Sequence, residues 1–328
     1  MIYSLSIHSA RKIQGNPKLS IIGVPTNSSG KSGRGVARAP NAIRNADLIQ
    51  VLSHYCEIYD EGDVAFTLPI TDRDPDSGII AYGALLSMIQ SVYKGVNNAL
   101  RHDRFPLVIG GDCPILLGCL AAVKEIHGSS AGLFFVDGHE DAYPPRKSPT
   151  GEAADMELGF ALGMNCENLP SNIVDNSSWP PLPLVDASNV CILGPRDKKL
   201  LQEQGVESLS RKVVETFYDD IALHKSKNLE ALINRALKQL KLSKTTAMVD
   251  KLWLHVDLDV LSTHSMPAVD YQQPGGINWN QLKKITKALI SSGYTIGLNL
   301  TIYNPDMDSD GRFAKRIVNY LEYAVSFL

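Results

Sequence analysis

The sequence lacks an excess of basic residues, a long apolar run and a close-spaced set of cysteines. Its 32 Lys and Arg residues face 35 Asp and Glu residues, for a net charge of -3. It therefore offers no basic field for nucleic acid or for an anionic membrane. No stretch approaches the roughly 20 apolar residues that cross a bilayer, the N-terminus has no signal-peptide pattern, and the scattered cysteines suggest reduced thiols. We expect a cytoplasmic globular protein without nucleic-acid or membrane partners.

Short, continuous apolar runs alternate with longer amphipathic stretches. This pattern is typical of buried parallel strands that are covered by helices on both faces. The predicted strands span residues 19–24, 106–109, 132–136, 190–193, 252–256 and 295–300. The predicted helices span residues 39–52, 79–100, 115–127, 151–163, 228–240, 278–290 and 312–327. Because the irregular segments 67–77 and 169–187 are short and the βαβ series continues past them, we predict surface loops and a single α/β domain over residues 1–328.

Polar side chains follow three of the predicted strands. The motifs are GGDCP (110–114), DGHEDAY (137–143) and HVDLDVL (255–261). Ligands of open α/β sheets bind beyond the carboxyl ends of the strands. Asp137, His139 and Asp141 are spaced at alternate positions, so they point to one side if the extended conformation persists. Asp257 and Asp259 repeat this spacing after another buried run.

These five side chains predict a two-metal site. Carboxylates that face an apolar interior are too costly to keep charged without a counter-charge, which divalent ions supply. Five ligands exceed what one tetrahedral zinc needs, and a carboxylate-rich set suits hard ions such as Mn²⁺. One Asp after a strand is as often a helix cap or turn former, so the prediction rests on both clusters together. His255 and His264 are expected to be structural or to support the ligands.

The ordered motifs resemble the ureohydrolase family, which includes arginase, agmatinase and formimidoylglutamase. The resemblance begins at IGVPTNSSGKSGRGVARAPNAIR (22–44) and continues through the three strand-end motifs, GPRD (194–197) and LTIYNP (300–305). It implies a three-layer α/β/α, arginase-like fold with a mostly parallel sheet. It also implies two Mn²⁺ ions that activate a hydroxide, a small guanidino or amidino substrate whose C–N bond is hydrolysed to release urea or an amide, and a homo-oligomer, a trimer or hexamer.

Matching positions within the family would make Asp137 and Asp257 the bridging ligands. Asp141 would complete one metal site, and His139 with Asp259 would complete the other. The sixth ligand of the family is a histidine, and Cys113 stands in its place. A thiolate there would shift the preference toward Zn²⁺, Fe²⁺, Co²⁺ or Ni²⁺. Alternatively, Cys113 is a small filler and one metal is weakly held or absent.

Two further family positions differ in this chain. The glutamate that many members present to the guanidinium is replaced by Ile302, and a proton-shuttling histidine of arginase by Ala154 or Asp155. Glu152 and Asp155, three residues apart on a predicted helix, could take over as substrate ligands or as the acid/base group. Alternatively, they complement the helix dipole. Asp141, Glu152 and Asp155 are therefore the catalytic candidates.

The resemblance also predicts the residues that position the substrate. The loop that follows the third metal ligand corresponds to a family segment that contacts the distal end of the substrate, which makes Tyr143, Ser148 and Thr150 candidates. Asp197, in GPRD, matches a motif near the substrate's amino group. The pair Arg196 and Asp197 could equally form a structural ion pair.

Two classes of function follow from these residues. The first is a binuclear metal-dependent hydrolase acting on linear amidines. The second is a catalytically degenerate ligand-binding or regulatory protein on the arginase fold, which the changes at Cys113 and Ile302 would favour. A deacetylase-like amidohydrolase fits less well, because the histidine pair of that group is not found.

Overall fold

The structure is a computed structural model that describes residues 16–31, 33–67, 71–166, 182–210, 213–241 and 248–328. Eight strands of this part of the chain form one parallel sheet in the order β2-β1-β3-β8-β7-β4-β5-β6. The strands are β1 (Lys18–Val24), β2 (Glu57–Asp63), β3 (Phe105–Gly110), β4 (Ala131–Val136), β5 (Val190–Leu193), β6 (Thr216–Tyr218), β7 (Lys251–Asp257) and β8 (Thr295–Thr301). Most of the predicted loop 169–187 lies outside the described residues.

Helices cover both faces of this sheet. They are α1 (Ala39–Arg44), α2 (Leu48–Leu52), α3 (Tyr82–Arg101), α4 (Ile115–His127), α5 (Glu157–Ala161), α6 (Lys198–Glu203), α7 (Asp220–Lys225), α8 (Leu229–Lys241), α9 (Trp279–Ile290) and α10 (Arg312–Val325). Successive strand residues join different apolar clusters: Phe134 belongs to the cluster that includes α8, α9 and α10, whereas Phe135 belongs to the cluster that includes α3 and α4. This alternation confirms the predicted three-layer α/β/α fold.

The six predicted strands are all present, whereas β2 and β6 were missed. The β2 sequence, EIYDEGD, has no apolar run because this strand lies at the sheet edge and is largely exposed. The predicted helix 39–52 is two helices, separated where Asp47 adopts a left-handed φ of 66°. The predicted helix 151–163 is wrong over its first turn: Ala153–Asp155 is a 3₁₀ turn, and α5 begins only at Glu157.

The register of β7 and β8 sets three residues of one strand, at alternate positions, opposite three residues of the other. Trp253, His255 and Asp257 lie opposite Gly297, Asn299 and Thr301, respectively. The Trp253 ring occupies the space above Gly297, where an added Cβ would lie 2.2 Å from a ring carbon. Glycine is therefore required at that position for packing.

No helix within the described ranges is long and apolar enough to cross a membrane.

Candidate metal centre

The acidic residues of the three strand-end motifs come together at the carboxyl edge of the sheet. Asp137 follows β4, Asp257 is the last residue of β7, and Cys113 follows β3 by three residues. The chain can turn toward Cys113 only because Gly111 has no side chain, since a Cβ there would lie 1.9 Å from the Thr26 carbonyl oxygen. The adjacent strands β4 and β7 thus bring Asp137 and Asp257, far apart in sequence, to one edge of the sheet, and β3, one strand beyond β8, adds Cys113.

Five of the six predicted metal ligands form one contact network. The Cys113 thiol donates to Asp257 Oδ2 at 2.6 Å. His139 Nδ1 lies 3.0 Å from Asp259 Oδ2 and 3.7 Å from Asp137 Oδ1. The backbone N–H of Asp259 donates to Asp257 Oδ1 at 2.6 Å, which connects the two halves of the cluster.

Asp141, the sixth, lines the same pocket without joining this network of short contacts. The extended conformation that was the condition of the spacing argument does not persist through the motif, because β4 ends at Val136 and Asp141 has a left-handed φ of 41°. A bend in the backbone, rather than strand alternation, therefore turns the Asp141 side chain toward the cluster.

The charges in this cluster are poorly compensated by the protein itself. Burial raises the pKa of Asp257, and the charges of Asp259 and Asp137 raise it further. Burial and the charge of Glu157 likewise raise the pKa of Asp141. Burial opposes ionisation of Asp137 as well, but the imidazoles beside it hold its pKa below the usual range. The cluster thus favours bound cations, either protons or metal ions.

The donor atoms fit divalent ions. Two groups of ligand atoms, each within 4.8 Å of one another, share Asp137: one contains Cys113, Glu157 and His255, and the other contains His139 and Asp259. Both oxygens of Glu157 are buried and have no hydrogen-bond partner in the described part of the chain. Carboxylate oxygens with one imidazole and one thiolate suit a first-row divalent metal.

A pocket of about 190 Å³ opens above the cluster. Nine of the residues predicted for the site line it, namely Cys113, His139, Asp141, Tyr143, Thr150, Asp155, Asp197, Asp257 and Asp259. Tyr271, Gln273 and Ile302 are also part of the wall. Ile302 has a left-handed φ of 68°, which is a strained conformation for a β-branched residue. By the family resemblance, Ile302 stands where many members have a glutamate, so an apolar side chain lines the pocket at this position.

The helix-face argument for Glu152 and Asp155 is wrong, since Glu152 precedes the 3₁₀ turn in extended conformation. Asp155 accepts hydrogen bonds from the hydroxyls of Ser148 at 2.6 Å and Thr150 at 2.5 Å. Glu152 accepts a hydrogen bond from the Tyr271 hydroxyl and is absent from the pocket wall. Ser148 is buried behind the wall, so its visible role is to hold Asp155.

Asp197 and Arg196 do not form the alternative ion pair with each other in the described structure. Arg196 donates to the backbone carbonyl of Asp259 at 2.6 Å, and Asp197 accepts from the backbone N–H of Glu140 at 3.1 Å. The second oxygen of Asp197 is buried and has no hydrogen-bond partner among the residues that the structure describes. Burial raises the pKa of Asp197 to about 7. It therefore places a carboxyl that titrates near neutrality in the pocket wall.

Several residues of the site were missed from the sequence. Glu157 and Asn299 could have been noticed, because each interrupts a buried apolar run, MELGFAL and IGLNL, respectively. Tyr271 and Gln273 come from an irregular segment without any pattern. Gln273 Nε2 hydrogen-bonds His139 Nε2, and the Tyr271 ring meets the His139 ring edge-on at 6.4 Å.

The fold and the site together define an α/β protein with a candidate binuclear metal centre at the carboxyl edge of a parallel sheet. The Arginase family model matches residues 17–325. The chain is 27% identical over 310 residues to an arginase of Bacillus subtilis (strain 168), covering 93% of this chain and 96% of the relative. It is 29% identical over 303 residues to an arginase of Brevibacillus brevis, covering 92% and 95%, respectively.

Solved structures show the same fold. The arginase from Bacillus caldovelox superposes with a TM-score of 0.79 at 24% identity, covering 95% of this chain and 98% of that one. The agmatine ureohydrolase of Thermoplasma volcanium superposes with a TM-score of 0.64 at 16% identity, covering 95% and 90%. The chain belongs to the arginase family, which confirms the ureohydrolase resemblance and the arginase-like fold.

Proposed function

We propose that this protein hydrolyses a C–N bond of a small guanidino or amidino compound. The proposal is carried by the two groups of ligand atoms that share Asp137 directly beneath the pocket. Cys113, Asp137, His139, Asp141, Asp257 and Asp259 would hold two divalent ions there. When bound, such a pair of ions makes water nucleophilic at neutral pH and offsets the negative charge that develops on the substrate.

The residues that hold the ions are themselves fixed by hydrogen bonds. The backbone N–H of His139 donates to Asp137 Oδ1 at 2.7 Å, and the backbone N–H of Gly138 donates to Asp259 Oδ1 at 3.1 Å. These contacts orient the carboxylates before any ion binds, which lowers the reorganisation needed for catalysis.

The pocket is lined by both polar and apolar side chains. Asp197 lines the pocket, and one of its carboxylate oxygens has no partner among the described residues, so it is a candidate to bind an amine or guanidinium of the substrate. Tyr143 and Thr150 line the same pocket and are available to position the rest of it. Because Ile302 provides no carboxylate, we propose that the substrate differs from unmodified arginine.

Glu152 reaches the pocket only through Tyr271. Burial raises the pKa of Glu152, and the Tyr271 hydroxyl that donates to it lines the pocket. We assign this pair the task of delivering a proton to the leaving amine: Tyr271 would give its hydroxyl proton to the amine and would take a replacement from protonated Glu152. Asp155 acts through Ser148 and Thr150, as a positioning residue.

A matrix of substrates and metals tests the proposal. Arginine, agmatine, guanidine, guanidino acids, hydroxyarginine and formiminoglutamate would each be incubated with Mn²⁺, Ni²⁺, Co²⁺ or Zn²⁺, and urea and ammonia would be measured. We expect metal-dependent release from at least one compound, abolished by Asp137→Asn and unchanged by Glu203→Gln, an exposed carboxylate on α6. Intact metal binding without turnover of any pair would instead support the degenerate ligand-binding alternative.

Full activity in Glu152→Gln would remove Glu152 from the mechanism. The matched variant Tyr271→Phe deletes the hydroxyl but keeps the ring. If the two residues deliver the proton together, both variants should lower kcat by a similar factor, because each breaks the same connection. A loss confined to KM would assign Tyr271 to substrate binding alone.

A further inference from the structure

Glu157 is a buried carboxylate whose described neighbours include other acids, Asp137 and Asp141, and its pKa is raised by burial first and by the charge of Asp137 next. It opens α5, its side chain is fully buried, and neither of its oxygens has a hydrogen-bond partner among the residues described. A buried charge without a partner is strongly destabilising, so either a proton or a metal ion must neutralise it. One of its oxygens lies within 4.8 Å of the ligand atoms of Cys113, Asp137 and His255. The position of Glu157 therefore points to the Cys113 side of the cluster.

His255 is the other unexpected member of this group, and a chain of hydrogen bonds determines the tautomer of its neutral imidazole. The Trp253 indole N–H, which can only donate, donates to Asn299 Oδ1 at 2.7 Å. The amide nitrogen of Asn299 must then face His255 and donates to His255 Nδ1 at 2.6 Å. Because Nδ1 accepts this bond, the neutral imidazole carries its proton on Nε2.

The proton on His255 Nε2 points at Asp137, whose Oδ2 lies 3.4 Å away. Trp253, Asn299 and His255 are fully buried, so water cannot replace either partner of the amide. The His255 ring is also stacked on Phe135, with 4.6 Å between the ring centroids. If the Asn299 amide turned over, its NH₂ group would face the indole N–H, donor against donor. His255 Nε2 therefore has no lone pair to offer a metal.

We propose that Glu157 is an additional metal ligand on the Cys113 side of the cluster, and that His255 is a positioning residue that donates to Asp137. This inference rests on the proposed function only in requiring that the site bind metal. Glu157 would add a hard carboxylate beside the thiolate that replaces the family's histidine. The hydrogen-bond chain from Trp253 would hold Asp137 in the orientation that both ions share.

Metal binding to the full-length protein tests this without reference to turnover. Protein stripped with a chelator would be titrated with Co²⁺, and the stoichiometry, the affinities and the thiolate-to-cobalt charge-transfer band would be recorded. We expect wild type to bind two equivalents. Glu157→Gln should weaken one equivalent by more than about 100-fold and diminish the charge-transfer band, because the affected ion is the one beside Cys113.

Two variants separate the roles at position 255. His255→Gln can still donate an N–H toward Asp137 and should keep both affinities within about tenfold of wild type, whereas His255→Leu cannot donate and should lose about 10- to 100-fold. If His255→Gln loses one equivalent as completely as Glu157→Gln does, His255 is a ligand and that half of the proposal is overturned.

A thermal-unfolding measurement distinguishes a ligand from a merely structural glutamate. Glu157→Gln should raise the melting temperature of the metal-free protein, because it removes the cost of burying or protonating this carboxyl, and should reduce the increase that Co²⁺ produces. A structural glutamate would lower the metal-free melting temperature instead. Glu157→Asp, which keeps the charge but shortens the reach, serves if Glu157→Gln does not fold, and unchanged Co²⁺ binding in either variant overturns the proposal. If Co²⁺ binding behaves as expected but no guanidino or amidino compound is hydrolysed, the metal ligand stands and the proposed function fails.

Discussion

Replacement of Asp197 by Asn should change how the stability of the metal-free protein depends on pH. Burial raises the pKa of this carboxyl from 3.8 to about 7, so the folded state binds a proton that the unfolded state releases at lower pH. When folding raises the pKa of an acidic group in this way, the folded protein loses stability as the pH rises from the unfolded-state pKa to the folded-state pKa. Asp197→Asn cannot ionise and should escape that loss.

The size of the effect follows from the pKa difference of about three between the two states. At about 1.4 kcal/mol for each pKa unit, the wild-type protein should lose about 4 kcal/mol through this group alone. About 2.5 kcal/mol of that loss falls between about pH 5 and about pH 8. The rest is lost below about pH 5, where the group already ionises in the unfolded chain. The variant should become more stable relative to wild type by this amount.

Urea denaturation of chelator-treated protein provides the assay. The quantity of interest is the free energy of unfolding of Asp197→Asn minus that of wild type, followed across the pH range. Any constant offset from the amide itself cancels in this comparison. Glu203→Gln, on the adjacent helix α6, is the matched control, because Glu203 is 61% exposed and its removal should leave the pH dependence unchanged.

A difference in free energy that stays constant to within about 0.5 kcal/mol from about pH 5 to about pH 8 would refute this reasoning. It would mean that Asp197 ionises as easily in the folded protein as in the unfolded chain. Such a result would also weaken the assignment of Asp197 as a substrate contact, because an already solvated carboxylate would not need a partner from the substrate.

Three further predictions concern packing, metal binding and helix capping. Gly297→Ala should cost about 1–3 kcal/mol of stability, because the new Cβ would lie 2.2 Å from the Trp253 ring. The control variant Gly83→Ala in α3 places a Cβ with no atom within 4 Å and should be neutral or slightly stabilising. Equal effects of the two variants in urea denaturation would contradict the packing argument. Adding Mn²⁺ to chelator-treated protein at about 1,000 times its dissociation constant should stabilise it by about 4 kcal/mol for each filled site, and no shift in melting temperature would speak against a metal centre. Asn278→Ala should cost about 1 kcal/mol in urea denaturation by removing the capping box that Asn278 forms with Gln281 at the start of α9, and an unchanged unfolding midpoint would show that this cap contributes little.

The strand-end motifs show why part of the site could be predicted from sequence. Asp137 and Asp257 each follow a continuous apolar run, and the carboxyl ends of neighbouring parallel strands must meet at one edge. The residue types already indicated a metal, since carboxylates beside a histidine have few other reasons to be buried together. The same reasoning failed at β2, whose charged sequence belongs to an exposed edge strand.

The segment that follows DGHEDAY shows where local pattern misled. Its alternation of small and apolar residues predicts a helix from 151 onward, but Gly151 has a left-handed φ of 76° and Asp155 is engaged by the hydroxyls of Ser148 and Thr150. These side-chain bonds compete with helical hydrogen bonds and delay α5 until Glu157. The two acidic residues that the sequence singled out were therefore assigned to the wrong geometry.

The sequence by itself determined the class of fold and the chemical type of the ligands, because both follow from local composition: apolar runs that become buried strands, and the acids that end them. Tertiary structure alone decided that Glu157 faces Cys113 and that Trp253, Asn299 and His255 form one hydrogen-bonded chain to Asp137. Those relations depend on the register between β7 and β8 and on the packing of α5 against α4. Contacts between residues far apart in the chain leave no periodic signal in the sequence. The apolar pattern of each segment reflects only that the segment is buried, not which distant residue it meets.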